Sequence, residues 1–127
     1  MTNMLSVYKK TIEELKRRLV SELGDRIESI ILYGSVARNE AREESDIDIL
    51  VITKDKDIKI YDKISKIRTD IDLDNNTLTS LVSLSRRELE RYIKLGSPFI
   101  ESVIEEGVIL YDNGNFEKLR KSIVATS

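Results

Sequence analysis

The sequence predicts an α/β protein of the α+β kind, a mixed β-sheet flanked by helices, and three observations predict it. Apolar residues recur at helical spacing over residues 4–23 and again over 58–71. Short apolar runs, Ile30-Ile31-Leu32 and Ile49-Leu50-Val51-Ile52, stand between such segments and read as strands. The two kinds of segment alternate along the chain, as they do where helices pack onto a sheet.

The first helix carries Leu5, Tyr8, Ile12, Leu15, Leu19 and Leu23 on one face, and Gly24 is its natural stop. A strand over 26–33 follows and ends at Gly34. Ser35 is placed to cap a short helix over 36–40. The second strand spans 45–53, and its unbroken apolar run implies burial on both faces, as in the middle of a covered sheet. After a polar turn at 54–57, Ile58, Tyr61, Ile64, Ile67 and Ile71 predict a helix that breaks at 72–75. A third strand over 77–84 leads into Ser85-Arg86-Arg87-Glu88, a capping box that opens a helix through about residue 95. Ser97-Pro98 starts another helix, closed by Gly107. A short strand over 108–111 and a helix over 116–124 complete the chain. Tyr92, Phe99, Ile100 and Ile104 read as core; Arg86, Arg87 and Arg91 read as a solvated face able to meet an acidic partner or RNA.

At 127 residues the expectation is one domain, 1–127. Apolar residues at 40% suffice for a core, and charged residues at 35% suit a soluble surface. No stretch approaches the ~20 apolar residues of a membrane span, and no basic region followed by an apolar run marks a signal peptide, so the expected location is cytoplasmic. Cys and His are absent, which removes disulfides, thiolate or imidazole metal sites, and Ser/His or Cys/His catalysis. A bound metal is therefore held by oxygen, as magnesium, calcium and manganese are. Lys and Arg number 21 against 23 Asp and Glu, a net charge of −2, so there is no strong nucleic-acid signal.

The chemistry concentrates in Leu32-Tyr33-Gly34-Ser35-Val36-Ala37-Arg38 and Ser45-Asp46-Ile47-Asp48-Ile49-Leu50-Val51. Asp46 and Asp48, two apart at the start of a strand, project from one face. Two carboxylates that close resist joint ionisation unless a cation lies between them. Gly34 and Ser35 stand where a strand gives way to a helix. There, free N–H groups, close backbone approach and a hydroxyl suit phosphate. Arg38, one turn on, is placed to meet an anionic ligand. Singly, a Gly-Ser after a strand is usually a turn, and Asp-x-Asp is often a solvated loop. Ten residues separate Ser35 from Asp46, and the combination matches a nucleoside triphosphate with bridging metal ions.

This pattern resembles the nucleotidyltransferase signature of the DNA polymerase β superfamily, in particular the minimal nucleotidyltransferase (MNT) branch, whose members are often paired with a HEPN-domain protein. The motif match covers residues 32–52, and the element order agrees over about 4–111. The resemblance implies that Gly34 and Ser35 hold the triphosphate, with Arg38 beside them. It further implies that Asp46 and Asp48 bind Mg2+ (or Mn2+) and that ATP is the substrate. Asn39 stands where the family usually has Gly, a mild departure because Asn tolerates left-handed backbone. Full members carry a third carboxylate on a later strand. Here that strand contains no acid, and the nearest are Asp72 and Asp74, each of which also reads as a polar helix terminus.

Two functions follow. The first is an enzyme that moves a nucleoside monophosphate, AMP from ATP, to an acceptor hydroxyl; the resemblance implies a Tyr of a HEPN toxin, making this chain an antitoxin. The second is a non-catalytic module that neutralises a partner protein by contact. A small-molecule transferase is disfavoured, since such enzymes carry an extra domain.

Overall fold

The computed structural model describes residues 4–41 and 45–126. Among them, helix α1 (Met4–Leu23) leads through a 3-10 turn (Gly24–Arg26) to strand β1 (Ile27–Tyr33) and the short helix α2 (Gly34–Ala37). Strand β2 (Ile47–Thr53), helix α3 (Ile58–Asn75) and strand β3 (Thr79–Ser85) follow. Helices α4 (Arg86–Lys94) and α5 (Pro98–Glu106), strand β4 (Val108–Asp112) and helix α6 (Asn115–Thr126) complete the chain. The strands form one sheet in the order β3-β2-β1-β4. β2 runs antiparallel to β1 and parallel to β3, and β4 runs antiparallel to β1, so the sheet is mixed as expected.

The sheet is covered on both faces. Ile47, Ile49 and Val51 of β2 face Leu15 and Leu19 of α1 and Ile64, Ile67 and Ile71 of α3. Leu50 and Ile52 face Leu89, Ile100, Val103, Ile104 and Phe116 of α4, α5 and α6. Every residue from Ile49 to Thr53 is buried, which is why β2 reads as continuously apolar rather than alternating. The ends of α4 and α5 are set locally. The Ser85 hydroxyl accepts from the Glu88 amide at 3.1 Å while the Glu88 carboxylate accepts from the Ser85 amide at 3.1 Å. The Ser97 hydroxyl accepts from the Ile100 amide, with Pro98 in the first turn. Arg120 of α6 donates to the carbonyls of Ile104 and Gly107, at 2.8 and 2.7 Å, and satisfies the end of α5.

Several boundaries differ from the sequence reading. α3 does not break at Asp72; it runs to Asn75, and Asn76 ends it in the left-handed region at φ 54°. The cause is that Asp72 serves the next segment instead of disrupting its own. Its carboxylate is buried and accepts from the Thr79 amide, the Thr79 hydroxyl and the Thr77 hydroxyl, each at 2.8 Å. Thr77 is thereby drawn into that turn, and β3 starts at Thr79. Asp46 lies just before β2, which begins at Ile47. Ile58 is 73% exposed, and Tyr92 and Phe99 are 41% and 43% exposed rather than core, whereas Ile100 and Ile104 are buried. The side chain of Leu5 lies outside the described residues.

Asp72 therefore supports a turn. Replacing it with Ala strands the buried Thr79 amide and should cost about 1–3 kcal/mol in urea unfolding. The same variant should keep a normal melting shift with ATP and magnesium; a lost shift with unchanged stability would place its carboxylate in the site instead.

Candidate active site

The site is built where β1 and β2 end together. Tyr33 and Asp48 face one another as a cross-strand pair of the antiparallel ladder. Their side chains leave the sheet on the side covered by α5, beyond the point where Leu50 and Ile31 are buried beneath it. The chain then turns sharply into α2. Gly34 makes that turn at φ 76°, and a Cβ there would overlap the Asp48 carboxylate and lie 3.0 Å from its Cγ. Gly is needed twice over: for the backbone angle and for the space taken by Asp48.

Ser35 is not the cap of α2. The helix begins two residues earlier than expected, with Tyr33 as N-cap and no side-chain cap. Ser35 sits inside the first turn, its carbonyl accepts from the Glu40 amide at 2.8 Å, and its hydroxyl has no partner among the described residues. The N–H groups of a helix's first turn have no intrahelical acceptor, so hydroxyl and amides are available to one anion. Asn39 adopts φ 58°, the left-handed conformation for which Asn substitutes for Gly.

Asp46 is exposed and Asp48 partly buried. The Asp48 carboxyl is pushed above its ordinary range by burial first and by the negative charge of Asp46 second, while Arg38 pulls it back. Arg38 is shared with two acids that sequence reasoning missed: Glu40 at 3.2 Å and Glu106, at the end of α5, at 3.6 Å. Glu40 is close in sequence, but nothing in the sequence marks Glu106. Phe99 of α5 was also misread. It packs edge-on against Tyr33 with ring centroids 5.4 Å apart. Burial and the nearby Asp48 push the Tyr33 phenol up to about 12, which keeps it neutral and makes it a wall of the site.

Neither candidate third carboxylate joins the pair. Asp72 bonds to Thr79, which is in register with Ile47, and so lies on the α1–α3 side of the sheet, opposite Asp48. Asp74 is an exposed residue of α3. Among the described residues no three acidic side chains cluster as a metal site. The β3 residue beside Asp48 is Ser80, exposed and uncharged.

The polymerase beta nucleotidyltransferase family model matches residues 13–115, which include the Gly34-Ser35 turn and both aspartates. The chain belongs to this nucleotidyltransferase family. Two relatives from Methanocaldococcus jannaschii, named as candidate protein adenylyltransferases, are each 35% identical to it. One matches over 102 residues, 80% of this chain and 96% of the relative. The other matches over 105 residues, 79% of this chain and 97% of the relative. The fold resembles that of a toxin–antitoxin crystal structure with AMP-PNP, with TM-score 0.61, 18% identity, and coverage of 90% of this chain and 85% of that one. It also resembles a complex of tri-AMPylated Shewanella oneidensis HEPN toxin with MNT antitoxin, with TM-score 0.51, 19% identity, and coverage of 97% and 87%.

Two outcomes test this nucleotidyltransferase site. Gly34→Ala forces a left-handed backbone on Ala, costing roughly 1–2 kcal/mol, and displaces Asp48; ATP should then give no melting shift even where the variant stays folded. Asp48 titrates above its ordinary value of 3.8 in the folded chain, so between that value and the raised one the folded state binds more protons than the unfolded. Without metal, the melting temperature should therefore fall as pH rises through that window, and Asp48→Asn should remove the fall. A variant that loses stability at neutral pH without metal would instead mark Asp48 as structural.

Proposed function

We propose that this chain transfers AMP from ATP to the hydroxyl of a tyrosine on a HEPN-domain toxin, and that it is an antitoxin by that reaction. The observation that carries the reading is the contact between Gly34 and the carboxylate of Asp48, which sets a phosphate-binding turn directly against an acidic pair. The relatives named for protein adenylyl transfer support the class of acceptor, and the AMPylated toxin bound to an MNT protein supports the partner.

The donor set fits a hard divalent cation. Asp46 and Asp48 offer only oxygen, and the Asp48 carboxyl is displaced upward by burial first and by the negative charge of Asp46 second, a charge that a cation would offset. Asp46 and Asp48 are the residues that would hold magnesium or manganese, and such an ion would supply positive charge to offset that of the phosphates. The remaining work falls to the chain. The Ser35 hydroxyl and the first-turn amides of α2 hold the triphosphate, and Arg38 adds positive charge beside it. Tyr33 and Phe99 wall one side. In the transfer, a bond forms between the acceptor tyrosine oxygen and the α-phosphorus, and the bond from that phosphorus to the bridging oxygen of the β-phosphate breaks. Pyrophosphate leaves with that electron pair, and the phenolic proton passes to solvent at the open rim.

Contact neutralisation without transfer is the second reading, favoured by Ser80 standing where a neighbouring carboxylate would complete the site. The readings part on one experiment: purified chain, magnesium, ATP labelled at the α-phosphate and a HEPN-domain toxin. The label should appear on a toxin tyrosine and vanish with Asp46→Asn; a neutralised but unlabelled toxin would establish contact alone. Ser35→Ala should weaken ATP by about 0.5–1.5 kcal/mol in calorimetry, or up to ~3 for a charged acceptor. The loss from Arg38→Ala should shrink as salt rises. Unchanged affinity in both variants would reduce Gly34-Ser35 to a turn.

A further inference from the structure

Most cations of α4 are not consumed by the fold. Arg86 is, through Glu28 at 3.7 Å and Glu90 at 3.5 Å. Arg87, Arg91 and Lys94 are exposed and form no ion pair among the described residues. Their spacing of four and three residues lines them up along the helix side opposite buried Leu89. At the end of this stripe, exposed apolar groups gather: Tyr92 at 41%, Leu95 at 73% and, across the turn, Phe99 at 43%. The positive face ends there, since the exposed charges of α5 include Glu101 and Glu105.

The stripe has a direction. α4 starts at Ser85, in register with Thr53 at the end of β2 remote from Asp48. It leads through the turn to Phe99, which packs on Tyr33, the cross-strand partner of Asp48. A cationic track thus runs toward the carboxylates and finishes in an apolar patch at their rim. Exposed lysines at the same spacing, Lys59, Lys63 and Lys66, also occur on α3; what sets the α4 stripe apart is that its helix leads through a turn to Phe99, packed on Tyr33.

We infer that the outer face of α4 and the α4–α5 turn docks an acidic, tyrosine-bearing segment of the acceptor polypeptide and delivers its hydroxyl to the site. Charge complementarity selects the segment: acidic side chains find Arg87, Arg91 and Lys94, while Tyr92, Leu95 and Phe99 bury its apolar groups. Tyr and Arg are the residue types that dominate protein interfaces. RNA is the poorer fit, because a phosphate backbone gains nothing from Leu95. The inference rests on the adenylyl-transfer reading for its chemistry, but not for the binding itself.

The probe is a fluorescent glutamate–tyrosine copolymer, compared with a lysine–tyrosine copolymer and a single-stranded RNA by anisotropy. The full chain should bind the acidic copolymer, more weakly at high salt, and bind the basic copolymer and the RNA less well. Reversing all three charges (Arg87→Glu, Arg91→Glu, Lys94→Glu) should weaken the acidic copolymer by roughly tenfold, in proportion to three exposed pairs, and turn preference toward the basic one. Leu95→Ser should weaken it without altering the charge preference. Both variants should keep the wild-type melting shift with ATP and magnesium, which shows that they fold and bind nucleotide. Equal binding of the two copolymers, an unchanged charge-reversed variant, or tighter binding of the RNA overturns the inference. So does a change of oligomeric state on charge reversal, which would make the face a contact between copies of this chain. Copolymer that binds as expected but takes no AMP leaves the docking inference standing and counts against the transfer reading.

Discussion

Everything at the site depends on the pairing of Tyr33 with Asp48 at the end of β1 and β2. That register brings the strand-to-helix turn of one segment against the carboxylate of another fifteen residues away in number but adjacent in space. Gly34 has no side chain to hold the two apart, and its left-handed φ lets the chain reverse before it reaches Asp48. A slip of one residue would send Asp48 to the opposite face, the one covered by α1 and α3. The register is protected by the apolar residues on either side of it. Ile49, Leu50, Val51 and Ile52 are buried against two separate cores, so a one-residue slip would exchange the two sets and force both cores to repack.

The carboxylate pair is held in a state that suits a ligand better than it suits the empty chain. Burial and Asp46 both oppose ionisation of Asp48, and Arg38 offsets them while divided among Asp48, Glu40 and Glu106. On the proposed reading, a cation on the two aspartates would offset the repulsion from Asp46, so the pair would work against apo stability and for binding. The scaffold compensates elsewhere: α4 and α5 are capped at their starts, α6 satisfies the end of α5 through Arg120, and Asp72 closes the turn into β3.

The proposed acceptor side of the molecule is formed by the same helices that cover the core. α5 packs Ile100, Val103 and Ile104 inward and leaves Phe99 at the rim against Tyr33. α4 buries Leu89 and turns Arg87, Arg91 and Lys94 outward. Their connection is tight: the Leu95, Gly96 and Ser97 amides donate back to carbonyls of α4.

Much was legible in the sequence because it is carried by local rules. Helical spacing, the Ser85 and Ser97 caps and the unbroken apolar run of β2 each depend on neighbours within a few residues, and they placed the elements nearly as observed. Gly34-Ser35 and Asp46-x-Asp48 stood out as a candidate site because two like charges set that close are unfavourable without a cation, and a Gly-Ser turn stands ten residues before them. What tertiary structure alone decided is which distant groups meet. Asp72 looked available for the metal, yet the fold sets it on the far face and binds it to Thr77 and Thr79. Phe99 looked like core, yet the angle of α5 leaves it at the rim. Glu106 carried no signal, because its meeting with Arg38 exists only once α5 has packed beside α2. Spacing along a chain determines which face a side chain leaves from; only packing determines what waits on the other side.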